Sequence, residues 1–451
     1  MTMSLRRPVW ALHVLVVGLA LHNLVMSQLY RAGVHGAALS VVAAWKDVLL
    51  LGSLVALLVA YGRVPRPSSL VDWLALAFAG FVVVYAVIPQ SVLGGGATHR
   101  GVLYALRHDL LPVEAYFLGR GLRLTTAERS SVCRTVLATA AGVAAVGILD
   151  VYLVSLGWWR QSAGWFSAQL GLVYNGLSGL PENFVFNEGG GVIYRRLTST
   201  FLSPLATSYL LLVALFFVPL RRRRWAPPLA ALLFVALLLT HTRAALLGLV
   251  VGLLVLAALR RSAFPLVLAV GVVVIGFAFV KVYGHVAPRA HFTRAELKIQ
   301  EDNARLHPET SNDATSANES STSEHFRSFR DGARSAIHHP WGFGLGNAGV
   351  TAARTHVTIE AGESTYTELA VETGVLGSLV FVAWSLALFA RVRRVAWLAA
   401  ALAAVLFVGL QTDVIGIPWI AVVVWALAGS VVAAGARGAR AGAPVTSLRQ
   451  E

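Results

Sequence analysis

Long apolar runs separated by short polar connections dominate this chain. A helix needs roughly 20 apolar residues to cross about 30 Å of hydrocarbon. Runs of that kind occur near residues 9–30, 37–61, 70–88, 131–156, 199–219, 226–241, 244–259, 263–283, 365–389, 395–412 and 417–435. A twelfth, 102–119, is interrupted by Arg107, Asp109 and Glu114. It reads as a crossing whose charges face other helices, because charge at membrane depth turns inward. The expected fold is therefore all-α, a polytopic membrane protein of about twelve transmembrane helices. The division follows from the pattern: an N-terminal bundle over 1–283, a long extracytoplasmic loop over 284–364 carrying short amphipathic helices, and C-terminal spans with a tail over 365–451.

Composition agrees with the pattern. The chain has 451 residues, 57% hydrophobic and 13% charged, against about 45–50% and about 25% for soluble domains. The net charge of +15 invites a nucleic-acid reading until it is mapped. With twelve spans and both ends cytoplasmic, the inner connections hold Arg6-Arg7, Arg63, Arg66, Arg120 to Arg134, Arg221 to Arg224, Arg260-Arg261, Arg391 to Arg394 and Arg437 to Arg449. The short outer loops are nearly free of basic residues, which is the positive-inside pattern of a cytoplasmic membrane protein. Nucleic acid is not needed to explain the charge; membrane lipids are. One cysteine, Cys133, excludes an internal disulfide and a thiolate metal site.

Two outer segments are long. Residues 157–198 hold Trp158, Trp159 and Trp165, which suit the headgroup interface. In the loop over 284–364, the Ser/Thr/Asn-rich tract 309–324 reads as mobile. Residues 325–337 then read as an amphipathic helix, with Phe326, Phe329, Ala333 and Ile337 on one stripe and Arg327, Arg330, Arg334 and His338 on a second. Such a helix on the bilayer surface buries the first stripe and offers the second to an anion or to lipid phosphates. Pro340-Trp-Gly-Phe-Gly-Leu-Gly346 follows; no strand precedes its glycines, so it reads as a helix-ending turn rather than a phosphate loop.

The remaining chemistry sits at the outer ends of spans. Arg243 lies in Thr240-His241-Thr242-Arg243, a hinge so short that its flanking spans form a hairpin. An outer arginine runs against the orientation rule, and a guanidinium binds phosphate through a bidentate fork, although it also reaches lipid headgroups. Arg195 and Arg196 stand similarly before the sixth span. Glu363 opens the tenth span, followed by Ser364, Glu368 and Glu372. Glu363, at the water boundary, can take a proton from a hydroxyl, or serve only as an acid favoured by the helix dipole. Glu368 and Glu372 share a helix face and call for a cation or hydrogen bonds within the bundle. No spacing among His325, His338, His339 and His356 matches a zinc site, and no cofactor is expected.

Taken together, these residues resemble the O-antigen ligase and O-antigen polymerase superfamily of bacterial polysaccharide glycosyltransferases. The likeness runs through Arg196-Leu-Thr-Ser-Thr-Phe201-Leu-Ser-Pro204, Thr242-Arg243-Ala-Ala, His325-Phe-Arg-Ser-Phe329, His339-Pro340-Trp-Gly342-Phe-Gly344, and Glu363-Ser364 before Glu372-Thr-Gly374-Val-Leu-Gly377. The resemblance implies a metal-independent, inverting transfer from a polyprenyl-pyrophosphate-linked oligosaccharide to a glycan or lipid acceptor. It also implies Arg243, Arg327, Arg330 and Arg196 as pyrophosphate ligands, Glu363 and His325 as catalytic candidates, and Ser364, Glu368 and Glu372 as supporting residues. Glu363 stands where the family has a histidine, which favours the polymerase or exopolysaccharide branch over the ligase branch. Partners on this reading include other polysaccharide assembly or export proteins. A lipid-linked glycan flippase and a non-catalytic export subunit are the rival classes; internal repeats and midplane broken helices, expected of transporters, are not legible.

Overall fold

A computed structural model describes residues 7–61, 67–162, 164–170, 180, 184–189, 192–221, 224–306, 320–358, 361–362 and 364–441. The expected runs all fold as helices. In chain order the crossings are α1 (Val9–Arg31), the consecutive α2 (Gly36–Ala43) and α3 (Trp45–Tyr61), α4 (Leu70–Val87), α5 (His99–Leu122), α6 (Thr126–Leu153), α7 (Pro204–Phe217), α8 (Ala226–Leu239), α9 (Arg243–Arg260) and α10 (Phe264–Val286). Between crossings lie α11 (Arg294–Leu306) and α12 (Ser320–His338), and the last three crossings are α13 (Thr365–Val392), α14 (Ala396–Val408) and α15 (Ala426–Ala441). Pro418–Ile420 and a wide turn over Ala421–Trp425 lead into α15.

Among the described residues, seven helices are long and apolar enough to cross a membrane, and four shorter apolar segments join them. The protein is a multi-pass membrane protein. The interrupted helix α5 is too polar to qualify on hydropathy, yet it runs the length of the bundle. Gly101, near one end, lies against Thr355, and Gly119, near the other, abuts Ala426. Its charges face other helices: Arg107 Nε lies 2.8 Å from Asp47 Oδ1 on α3, and Asp109 is buried.

The last three crossings pack into the earlier ones, α13 on α4, α14 on α9 and α15 on α5. One apolar core consequently runs from Leu12 to Val432. Its centre is aromatic, with Phe78, Tyr116, Phe381 and Trp384 in mutual contact. On α10, by contrast, Phe264, Val267, Val270, Val274 and Phe277 stay exposed, the surface expected where lipid replaces water.

The end of the bundle that carries the 287–364 connection, called the loop end below, departs from pure helix. Three short strands, β1 (Val185–Gly189), β2 (Val192–Arg195) and β3 (Arg289–His291), form an antiparallel sheet in that order. Here two of the three tryptophans correct the interfacial expectation, and Trp158 stays half-buried. Trp159 and Trp165 are buried in a satellite cluster with Phe166, Leu180 and Phe184. The Trp159 indole N–H donates to Asp150 Oδ1 at 2.7 Å, so its polar edge finds a protein partner instead of a headgroup.

The sixth crossing starts at Pro204 rather than 199. Ser203 caps it by accepting from the Ala206 amide, and proline takes the first helical position, where its missing N–H costs nothing. Of the tract expected to be mobile, 309–319 lies outside the described residues.

Candidate functional site

Three features meet at the loop end. The first is the hinge between α8 and α9. His241 has φ +49°, a left-handed backbone that side chains rarely adopt outside sites held by their surroundings. Arg196 holds it. This guanidinium, 8% exposed, donates from Nε to Thr240 O at 2.9 Å and from Nη2 to His241 O at 3.3 Å and Thr242 Oγ1 at 3.1 Å. Thr242 precedes α9 but makes no side-chain cap, because its hydroxyl is engaged with Arg196 and Thr240 O. The first-turn amides of α9 therefore lack a cap from Thr242, with Arg243 as the first helical residue. A helix N-terminus of this kind attracts anions.

The ring of His241 is packed between Phe186 and Tyr283, at 4.4 and 4.1 Å between centroids. Burial, reinforced by Arg196 and Arg243, pulls its pKa down to about 3. The hinge thus presents a neutral imidazole beside two guanidiniums. Arg195, next to the clamp, is buried and paired with Asp150 at 3.3 Å.

The second feature is a break in α13. At Gly374 the backbone leaves helical space, with φ 73° and ψ 166°, and the hydrogen bond that Val375 N–H would give Val371 O is opened. The glycine-rich segment after α12 takes both ends: Phe343 N–H donates to Val371 O at 2.7 Å, and Val375 N–H donates to Pro340 O at 2.9 Å. Irregular backbone at membrane depth needs such substitute partners. Asn347, buried, fixes the segment further, donating to Gln90 Oε1, Phe343 O and Gly344 O and accepting from Gly96 N–H. The helix-ending turn expected here is present, with Gly342 N–H bonding His339 O, but the segment also inserts into the bundle.

The third feature is a buried polar cluster under the start of α13. Glu372 Oε1 accepts from Gly346 N–H at 2.9 Å. Glu368 lies against Gly349, and its Oε1 has no hydrogen-bond partner among the described residues. Of the cation or hydrogen bonds expected for this acidic pair, the described residues supply the Gly346 bond and no ion pair with arginine or lysine. The group within electrostatic reach of both is His108 of α5, which stands between Asp109 Oδ1 and Asp413 Oδ2 at 2.7 Å each. Among the described residues, no three His, Cys, Asp or Glu side chains are arranged to hold a metal ion.

The connection 409–417 joins these features. Ser364 Oγ and Thr365 N–H both donate to Gly409 O, at 3.2 and 3.0 Å. Along α9 and α14, Gly252 faces Ala400 and Gly248 faces Ala404 and Val408, a register that brings Arg243, one turn further, level with Gly409. The start of α13 and the hinge arginine thus share one end of the bundle. Glu363 itself lies outside the described residues.

On α12, Phe326 and Ile337 are each 73% exposed. The face packed on α13 is a small-residue one, Gly332 and Ala336, with Gly332 against Thr367 and Ala361. Arg327 and Arg330 are exposed and His325 is half-buried on the packed side. Sequence reasoning missed His108, Asp413 and Asn347. The signals were the charges interrupting 102–119 and a lone acid between two apolar runs.

No curated protein matches this chain. Residues 228–382 match the family model described as O-antigen ligase, a stretch that holds the hinge, α12, the glycine-rich segment and the break in α13. Over that domain the chain is similar to the O-antigen ligase family, and the match supports the superfamily resemblance seen in the sequence.

Proposed function

We propose that the protein polymerises repeat units of a surface polysaccharide or exopolysaccharide, with a polyprenyl-pyrophosphate-linked oligosaccharide as donor and the growing glycan as acceptor. The observation that carries this reading is the hinge: the start of α9 without a cap from Thr242, Arg243 as its first residue, and a buried Arg196 bracing the turn. The pyrophosphate binds there, met by the Arg243 fork and the first-turn amides. Arg327 and Arg330, on the exposed face of α12, draw the anionic donor in and hold its outer phosphate.

The acceptor hydroxyl oxygen attacks the anomeric carbon from the face opposite the phosphate. Its C–O bond forms as the bond from that carbon to the pyrophosphate oxygen breaks, so the configuration inverts. The hydroxyl proton passes to the Glu363 carboxylate, and polyprenyl pyrophosphate leaves. Negative charge builds on the leaving group, and these guanidiniums stabilise it. They carry the charge that a divalent cation would otherwise supply, which makes the transfer metal-independent. His325 is the second catalytic candidate, and Ser364, Glu368 and Glu372 support the constellation. The basic connections opposite the loop end support an orientation with that end outside the cytoplasm and both termini inside, in the bacterial cytoplasmic membrane.

The test uses protein in nanodiscs with a synthetic polyprenyl-pyrophosphate oligosaccharide, products being separated on a gel. A ladder of lengthening glycans, absent with Glu363→Gln, is expected. A product formed only with a separate lipid or protein acceptor would mean a ligase. Absence of turnover with the organism's own repeat unit would overturn the reading in favour of a transporter.

A further inference from the structure

The polar cluster draws on two segments outside the stretch matched by the family model, α5 and the 409–417 connection. His108 bonds both through its two ring nitrogens, at 2.7 Å to Asp109 and 2.7 Å to Asp413. Asp413 is in turn fully committed. Its Oδ2 also accepts from Gly416 N–H at 2.9 Å, and its Oδ1 accepts from Ile415 N–H at 3.2 Å and faces Thr365 Oγ1 at 3.3 Å. Thr365 Oγ1 accepts from Val414 N–H at 2.9 Å. The line His108–Asp413–Thr365 therefore ties the middle of α5 to the first residue of α13. Thr365 stands two positions after Glu363.

General stability does not call for this link. Buried ionic contacts between helices are often replaceable by apolar side chains without loss, and α5 is already packed against α3, α4 and α15 along its length. Apolar packing holds helices side by side but fixes no polar group to a fraction of an ångström, whereas a transfer site needs its groups held to about 0.5 Å. The α13 start also lacks a cap from Ser364, whose hydroxyl is turned to Gly409, so its placement depends on these outside contacts.

We propose that His108 is a positioning residue of the transfer site: by holding Asp413 it holds Thr365, and so fixes the first turn of the helix that Glu363 and Ser364 lead into. The inference rests on the reading of that turn as the acceptor-activating end.

The experiment compares His108→Gln, Asp413→Asn, Thr365→Val and the His108→Gln/Asp413→Asn double variant in nanodiscs. Three quantities are measured: transfer rate at saturating donor, donor Kd, and amide hydrogen exchange over 364–372 and 409–416. Each single variant should lower kcat by about tenfold, the size of one lost positioning contact of 1.4 kcal/mol, and leave donor Kd within about twofold. Exchange should rise in both windows, and the double variant should be no worse than either single. Unchanged kcat, a loss confined to donor Kd, or additive losses would overturn the proposal. Thr365→Val leaves both partners of the α5 contact in place, so an unchanged kcat in that variant refutes the link even where His108→Gln misfolds. Should the wild type show no transfer, the functional reading fails on its own. Exchange then still decides whether His108 holds this turn, and unaltered protection at 364–372 refutes it.

Discussion

Replacing Arg196 separates bracing from ligand binding. Its guanidinium makes three hydrogen bonds to the hinge and is 8% exposed. Thr240 O has a second donor in Thr242 Oγ1 at 3.3 Å, so Arg196→Ala leaves chiefly His241 O and part of the Thr240 carbonyl unsatisfied. A buried unsatisfied carbonyl costs about 1–3 kcal/mol, and the left-handed His241, no longer clamped, can relax and recover about 1 kcal/mol. The net loss is about 1–3 kcal/mol, enough to lower the melting temperature by several degrees without donor present. Arg243→Ala should behave oppositely, because Arg243 is half-exposed at the helix start. Its melting temperature stays near wild type while donor Kd rises about tenfold, the equivalent of 1.4 kcal/mol. Arg196→Lys should recover part of the loss, since an ammonium reaches the carbonyls without the fork. The assay is thermal unfolding in nanodiscs, with hydrogen exchange over 238–246 and donor binding measured on the same samples. An Arg196→Ala protein that melts like wild type and loses only donor affinity would refute the bracing argument.

Gly346→Ala places a Cβ 2.8 Å from the Gly101 carbonyl carbon at a φ of +86°, where an L residue is also strained. It should displace the amide that bonds Glu372 and cost about 2–3 kcal/mol, read as lower protein levels in the membrane and a lower melting temperature. His241 makes the hinge acid-sensitive. Because burial and the two arginines hold its pKa at about 3, below the ordinary 6.5, the unfolded chain binds a proton that the folded hinge refuses. The stability contribution is complete above pH 6.5 and declines as pH falls toward 3; His241→Asn, which tolerates the left-handed backbone, should flatten the melting temperature over that range. Arg327→Ala with Arg330→Ala should leave stability within about 0.5 kcal/mol, as exposed substitutions do, and weaken donor capture most at low salt.

The membrane character and nearly every crossing are determined by the sequence alone, because burial in lipid demands long uninterrupted apolar runs and each run carries its own signal. Even α5, with three charged interruptions, is legible once the alternation of basic connections demands another crossing. Arg243 stands out for the same reason, a cation in a connection that the orientation rule expects to be free of them.

Only the tertiary structure decided what those charges touch. The sequence separates His108 from Asp413 by 305 positions, and no local pattern tells that they meet. The apolar stripe of α12 drew attention to Phe326 and Ile337, yet the contact with α13 is made at Gly332, with Ala336 buried one turn on, since small residues pack closely while contributing little to any periodicity. Arg196 and Arg243 look alike as outer arginines. One is sealed into a turn by three hydrogen bonds and the other opens a helix, a difference set by how the chain folds back from β2 onto the hinge. Hydrophobic periodicity is a property of neighbours along the chain, and it suffices to place helices in a membrane. Partners of buried polar groups come from distant segments, and their identity arises only when the helices pack.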